Sequence, residues 1–255
     1  MLEFVGAYNG SDKFSSNKSY QLFPAVSLGW NVSEESFLKD NLSFVSSMKL
    51  RGSFGYTGFD GSGVQVLKYE KTYSSGSGKG YIFGETGNSA VDGGLIEPQL
   101  ANPFVTWESQ RDFNVGMDAT FFNGDIGLTV DYFDKYRYDI LTTRTSIGAN
   151  FGVTLPPVNL GETQNRGYEI ELKYRNNKKE FKYWFNGQLS VAKSKILFRD
   201  EGSQRYPWLG STGKPIGAQF GYTADGFFKD IADIYNSPRL ASSIPLQNTF
   251  PGGIK

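Results

Sequence analysis

Cysteine and histidine are both missing from the 255 residues. Without thiols there is no disulfide framework and no thiolate metal site. Without imidazole the commonest general base, the usual zinc ligand and every Ser-His triad are excluded. Catalysis by carboxylates remains possible in principle, but no enzyme activity and no cofactor are expected. The chain also lacks any run of about 18 apolar residues, which excludes a transmembrane helix. Its mean hydropathy of −0.40 would suit a soluble protein. The same value suits a membrane β-barrel, whose strands turn only every second residue to lipid. Neither sign of charge is in excess: Lys plus Arg and Asp plus Glu each number 26, and nothing marks the chain for nucleic acid. No charged-then-apolar leader opens it, because MLEFVGAYNG already reads as a strand.

What is abundant is aromatic and flexible: 21 Phe, 15 Tyr and 31 Gly. That mixture suits long strands joined by Gly-rich turns. Period-2 alternation predicts roughly eight of them, at 1–9, 19–32, 46–57, two in the hairpin 113–136, 164–175, 180–197 and, more weakly, 215–228. The hairpin FNVGMDATFFNGDIGLTVDYFDKY is the clearest. Phe113, Val115, Met117, Ala119 and Phe121 share one face, and Asn114, Gly116, Asp118 and Thr120 the other. Ile126, Leu128, Val130 and Tyr132 then repeat the pattern against Asp125, Gly127, Thr129 and Asp131. Asn123-Gly124 between them predicts a two-residue type I′ turn. Residues 136–147 are expected to continue the second hairpin strand and to begin a further short one.

Short connections (33–43, 123–125, 176–179) alternate with long ones (58–105, 148–163, 199–214). This is the rhythm of an outer-membrane barrel, with tight periplasmic turns and long external loops. Aromatics gather beside the short turns, at Phe121, Phe122, Tyr174, Phe181 and Tyr183, as an interfacial girdle would require. A soluble β-sandwich also alternates, so an all-β carbohydrate-binding module is the alternative reading. Strand length favours the membrane, where about 9 to 11 residues are needed to cross as a tilted strand. Pro24 fits a barrel strand only at the rim, because it has no N–H for the ladder.

Four groups of residues are candidate sites. SGSGKGY (75–81) has the sound of a phosphate loop, but Gly80 follows Lys79 where Ser or Thr is needed, and an external loop is expected. Asp118, Asp131, Glu169 and Glu171 share the polar face with Lys49, Arg51 and Lys173, which suits a hydrated wall of cross-strand charge pairs better than a glycosidase pair. Asp225, Asp230 and Asp233 lack the dense spacing of a calcium loop. Tyr206 and Trp208, in QRYPWLG (204–210), are the candidate substrate-binding residues, because exposed rings in a long loop can stack on sugars; packing within the loop is the alternative reading.

Several stretches together resemble the SusC/RagA-like TonB-dependent outer-membrane transporters of Bacteroidetes. NPFVTWESQRDFNVGMDATFFNGDIGLTVDYFDKYRYDIL (102–141) carries most of the likeness. GSDKFSSNKSYQLFPAVSLGWNVSEESFL (10–38) and SMKLRGSFGYTG (47–58) precede it, and NLGETQNRGYEIELKYRN (159–176) and GKPIGAQFGYTADGFF (213–228) follow in the same order. The resemblance implies an antiparallel transmembrane β-barrel of the 22-stranded class with a plugged lumen. It also implies outer-membrane location, coupling to TonB, a SusD-like surface lipoprotein partner and import of oligosaccharides or peptides. Residues 1–255 would all belong to one barrel domain, and the plug domain, TonB box and terminal strands of the family have no counterpart among them.

Overall fold

The computed structural model describes residues 1–39, 42, 44–61, 69–75, 81–83, 90–92, 94–148, 150, 154–176, 180–221, 223–237 and 250–253. Seven long strands form one antiparallel sheet: β1 (Leu2–Gly10), β2 (Tyr20–Asn31), β3 (Val45–Phe59), β8 (Glu108–Phe121), β9 (Ile126–Thr142), β10 (Val158–Asn176) and β11 (Tyr183–Phe198). They pair in that order, each with its neighbour in the chain, apart from the long connection between β3 and β8. That connection holds two small pairs, β4 (Ser74–Ser75) with β7 (Leu95–Ile96) and β5 (Tyr81–Phe83) with β6 (Ala90–Asp92). The long strands run from 9 to 19 residues, against about 5 to 6 for an ordinary strand.

The register settles which residues share a face. Met117 lies opposite Leu50 on one side and Val130 on the other, and Val130 opposite Ile170, which pairs with Leu189. One face is therefore an apolar band, running from Phe121, Ile126 and Tyr174 to Val115, Tyr132 and Tyr168. On β11 the band extends from Tyr183 to Val191. At about 3.4 Å per residue and a tilt near 40°, those eight steps cover about 20 Å of depth, close to the apolar height of an outer-membrane barrel. The opposite face carries Lys49, Arg51, Asp118, Asp131, Glu169, Glu171 and Lys173.

The short-connection end is closed by aromatic contacts. Phe44 stacks on Phe121 at 6.1 Å between ring centres, and Tyr183 meets both Tyr174 and Phe181 at 5.7 Å. Trp30 donates its indole N–H to Glu35 beside the one-turn helix α1 (Ser36–Lys39). The expected two-residue turn is a four-residue one, with Phe121 opposite Ile126. Phe122, Asn123 and Gly124 all have positive φ (54°, 58° and 90°), so the Asn-Gly pair does supply left-handed backbone, but over a wider loop. The wider loop is pinned to the neighbouring strand: Phe122 N donates to Phe44 O, and Asn123 N to Ser46 Oγ.

Two further expectations need correction. Beyond Thr142 no strand continues through the described residues up to 148. The eighth strand, 215–228, does not form: among its described residues only Phe227 makes a β-bridge. Pro215 removes a donor, and Gly217 and Gly226 take φ of 78° and 90°, which extended strands do not. The start of this segment does run along β11: Gly213 N donates to Ile196 O, Ile196 N to Lys214 O, and Ile216 N to Ser194 Oγ. Pro24 lies opposite Gly6 within the β1–β2 ladder and one residue beyond the end of the β2–β3 ladder at Ala25–Gly55.

Compact unit Met1–Gly217 contains the sheet, and Ala218–Lys255 forms a second unit. In the second unit Asp230 caps the helix α2 (Ile231–Asn236), accepting from Asp233 N at 2.8 Å, and Asp233 in turn accepts from Lys229 N. Two of the three aspartates considered for calcium thus act on local backbone.

Candidate functional site

The polar face is a charge-paired wall. Arg51 on β3 donates from Nε to Asp118 on β8 at 3.0 Å and from Nη2 to Asp131 on β9 at 2.6 Å. Reaching Asp131 means crossing β8, and the crossing point is Gly116, directly opposite both Arg51 and Asp131. A Cβ there would stand 2.7 Å from Arg51 Cζ and 2.6 Å from Asp131 Oδ1, so only glycine leaves the slot open. Thr129 also donates to Asp118. On β10, Glu171 accepts from Lys173, Gln188 and Asn186, and Glu169 from Ser190. Every carboxylate weighed for glycoside chemistry is thus engaged by a cation, amide or hydroxyl on its own or a nearby strand. The arrangement suits a wet lumen wall, as the alternation implied.

At the end of the long connections, a small core ties separate segments together. Val105 and Trp107, just before β8, are buried with Phe14 and Phe23, and Tyr56 and Leu141 pack against them. Trp107 meets Phe14 at 5.3 Å and Phe23 at 5.6 Å and donates its indole N–H to Lys18 O. Asn102 donates to Pro157 O and accepts from Phe104 N. Asn159 accepts from Thr106 N and donates to Thr106 O and Asp139 O. Buried Glu108 pairs with Arg137 and accepts from Leu141 N. Residues 102–108, NPFVTWE, therefore clamp the connection 11–19, the segment 154–159 and the outer end of β9. Sequence reasoning gave these residues no individual role. Their signal was their place at the head of the stretch 102–141 that carries the family likeness.

Tyr206 and Trp208 come together. Their rings stack at 4.6 Å and 7° between planes, both exposed, with Arg205 over the Tyr206 ring at 5.5 Å. A short 3-10 turn, Pro207–Leu209, sets this spacing, and Lys214 holds the carbonyl of Trp208. Behind the pair, Glu201 accepts from Ser211 N at 2.8 Å and from Thr212 N and Oγ1 at 3.2 Å. Burial by itself would raise the Glu201 pKa, but these hydrogen bonds outweigh it and hold the carboxyl below its ordinary range. Of SGSGKGY, residues 76–80 lie outside the described residues.

Comparison with known proteins agrees with this geometry. The family described as TonB dependent receptor-like, beta-barrel matches residues 4–249. TonB-dependent receptor P3 of Formosa agariphila is 27% identical over 90% of this chain and 23% of its own length. TonB-dependent receptor SusC of Bacteroides thetaiotaomicron is 25% identical over 98% of this chain and 25% of its own. In fold, the RagAB peptide importer in its open-open state matches with a TM-score of 0.67 at 20% identity, covering 89% of this chain and 24% of that one. The chain spans about a quarter of the length of these relatives. They are receptors and transporters, and the barrels of this family lie in the outer membrane, so the apolar face meets lipid and the soluble sandwich gives way. The chain belongs to the TonB-dependent receptor β-barrel family, in its SusC/RagA-like form.

Proposed function

We propose that this chain is part of one barrel domain of an active nutrient importer. Plug, TonB-coupling segment and further strands would come from the rest of a longer protein. Such strands would pair the open edges of β1 and β11, and a SusD-like lipoprotein would deliver substrate at the external end. The present residues would contribute lumen wall and external loop, with no catalytic role.

Oligosaccharide is the favoured substrate class, and the stacked Tyr206–Trp208 pair is the observation that carries it. The rings cover each other's inner faces, and the outer face of Trp208, 64% exposed, offers a flat apolar surface of the kind a pyranose face covers. Peptide is the second class, favoured by the fold likeness to RagAB, which is named a peptide importer. The test is calorimetric titration of the full-length protein with panels of oligosaccharides and peptides. Trp208→Ala is expected to weaken the preferred oligosaccharide by about tenfold, an aromatic contact of about 1.5 kcal/mol. Unchanged oligosaccharide affinity, or affinity for peptides alone, would refute the sugar platform.

Binding should also depend on pH through Glu201. Its pKa is lowered in the folded loop, so its stabilisation is present above the unfolded value and lost as pH falls through the folded one. Affinity is therefore expected to hold at neutral pH and fall in the acid range below about pH 4. Glu201→Gln should remove that acid limb.

A further inference from the structure

On β9 and β10 the lipid-facing apolar band ends at an aromatic row, Tyr132 opposite Tyr168. The next positions outward, toward the long connections, are charged. Arg166 follows Tyr168 on β10, and Lys193 and Lys195 follow Val191 on β11. The ladder between Thr163–Ile196 and Asn176–Tyr183 has no bulge, so these side chains keep the parity of Ile170 and Leu189 and point outward with them. Arg111 reaches the same zone from β8, over the Tyr136 ring at 5.3 Å.

Arg166 lies directly opposite Lys193. Like charges so placed repel. A carboxylate stands on the other side, since Asp134 pairs with Arg166 across β9 and β10. Yet both Asp134 oxygens accept from Gln164, at 3.0 and 2.8 Å. Glu162, the other nearby acid, accepts from Tyr136. Among the described residues, the ion pairs of this sheet involve Arg51, Arg137 and Lys173, and none involves Arg166, Lys193 or Lys195. All three are exposed.

Three unpaired cations thus sit just above an aromatic girdle, on the face that meets lipid, at the depth of the outer-leaflet headgroups. We propose that Arg166, Lys193 and Lys195, flanked by Arg111, form a binding site for the phosphate of an outer-leaflet lipid. Arg supplies a planar fork for two phosphate oxygens, and the lysines add point charges. An anion there converts cross-strand repulsion into a bridge between β10 and β11. The site rests on membrane placement and not on what the barrel imports, so it stands or falls independently of the sugar platform.

The test uses the full-length protein in detergent micelles, with thermal unfolding as readout. Monophosphoryl lipid A, its dephosphorylated form and inorganic phosphate are titrated separately. Monophosphoryl lipid A is expected to raise the midpoint, the dephosphorylated lipid not to, and inorganic phosphate to act only at far higher concentration. The triple variant R166Q/K193Q/K195Q should bind monophosphoryl lipid A at least about tenfold more weakly, since each cation near an anionic headgroup contributes about 1 kcal/mol. Equal shifts from both lipids on the unaltered protein would overturn the proposal, as would an undiminished shift in the variant. The lipid comparison needs no variant, so misfolding of the triple substitution would not protect the idea.

Discussion

Replacing Trp107 with alanine should destabilise the full-length protein by about 3 to 5 kcal/mol, the range for emptying a buried aromatic site. Trp107 is 6% exposed and is the common neighbour of Phe14 and Phe23, which come from different parts of the chain. Its loss leaves a void, and Lys18 O loses its donor. The damage should also be local in a recognisable way. Residues 11–19 and 99–107 should become sensitive to limited proteolysis while the lipid-facing strands stay protected. Trp107→Phe should keep most of the packing and lose mainly the indole hydrogen bond, at about 1 kcal/mol. If alanine changed neither the unfolding midpoint nor the cleavage pattern, this rim core would not hold the external segments.

The second large effect concerns the slot over β8. Gly116→Val would place a side chain where Arg51 passes, with clashes inside 3 Å against the guanidinium and Asp131. A loss of about 1 to 3 kcal/mol is expected from overpacking and displaced charge. Arg51→Gln should be comparable, because Asp118 and Asp131 then lose their cation and Asp131 is the more enclosed of the two. Both substitutions break the same interaction, so their combination should cost clearly less than the sum. Unfolding midpoints of the two single variants and the double variant decide this. Strict additivity would mean that Gly116 serves some purpose other than passage for Arg51.

The strands were legible because one physical demand writes them. Lipid on one side and water on the other force period-2 alternation, and Phe113 to Tyr132 obey it closely enough to fix faces and partners. Boundaries near the external rim were less legible. β8 starts at Glu108 and β10 at Val158, in stretches where both faces meet protein or water and alternation has no cause to persist. The expected strand at 215–228 fails for the opposite reason: its apolar residues alternate, but Pro215, Gly217 and Gly226 break the extended backbone. The turn at Asn123 was right in conformation and wrong in length, because Phe44 and Ser46, distant in sequence, hold it open.

The site divides in the same way. Charged residues on the wall were visible, but their pairing through Gly116 was not, since a glycine in a strand carries no sign of what passes over it. Tyr206 and Trp208 could be picked as ring-bearing loop residues, while their stacking depends on the Pro207 turn and on Glu201 behind it. NPFVTWE was visible only as a pattern. Its work is done by contacts to residues 29 to 89 positions away, and a single sequence holds no trace of them.

The assignment of lipid and lumen faces underlies everything above, and β10 offers its most direct test. This stretch contains no cysteine, so single cysteines can be placed one at a time at 168 through 173. Any cysteine elsewhere in the full-length protein would first be replaced. After reconstitution into liposomes, each is labelled with an environment-sensitive probe and challenged with a lipid-confined quencher and a water-soluble one. Positions 168, 170 and 172 should be quenched from the lipid, and 169, 171 and 173 from water. Uniform quenching by the aqueous agent at all six positions would contradict a membrane-spanning wall.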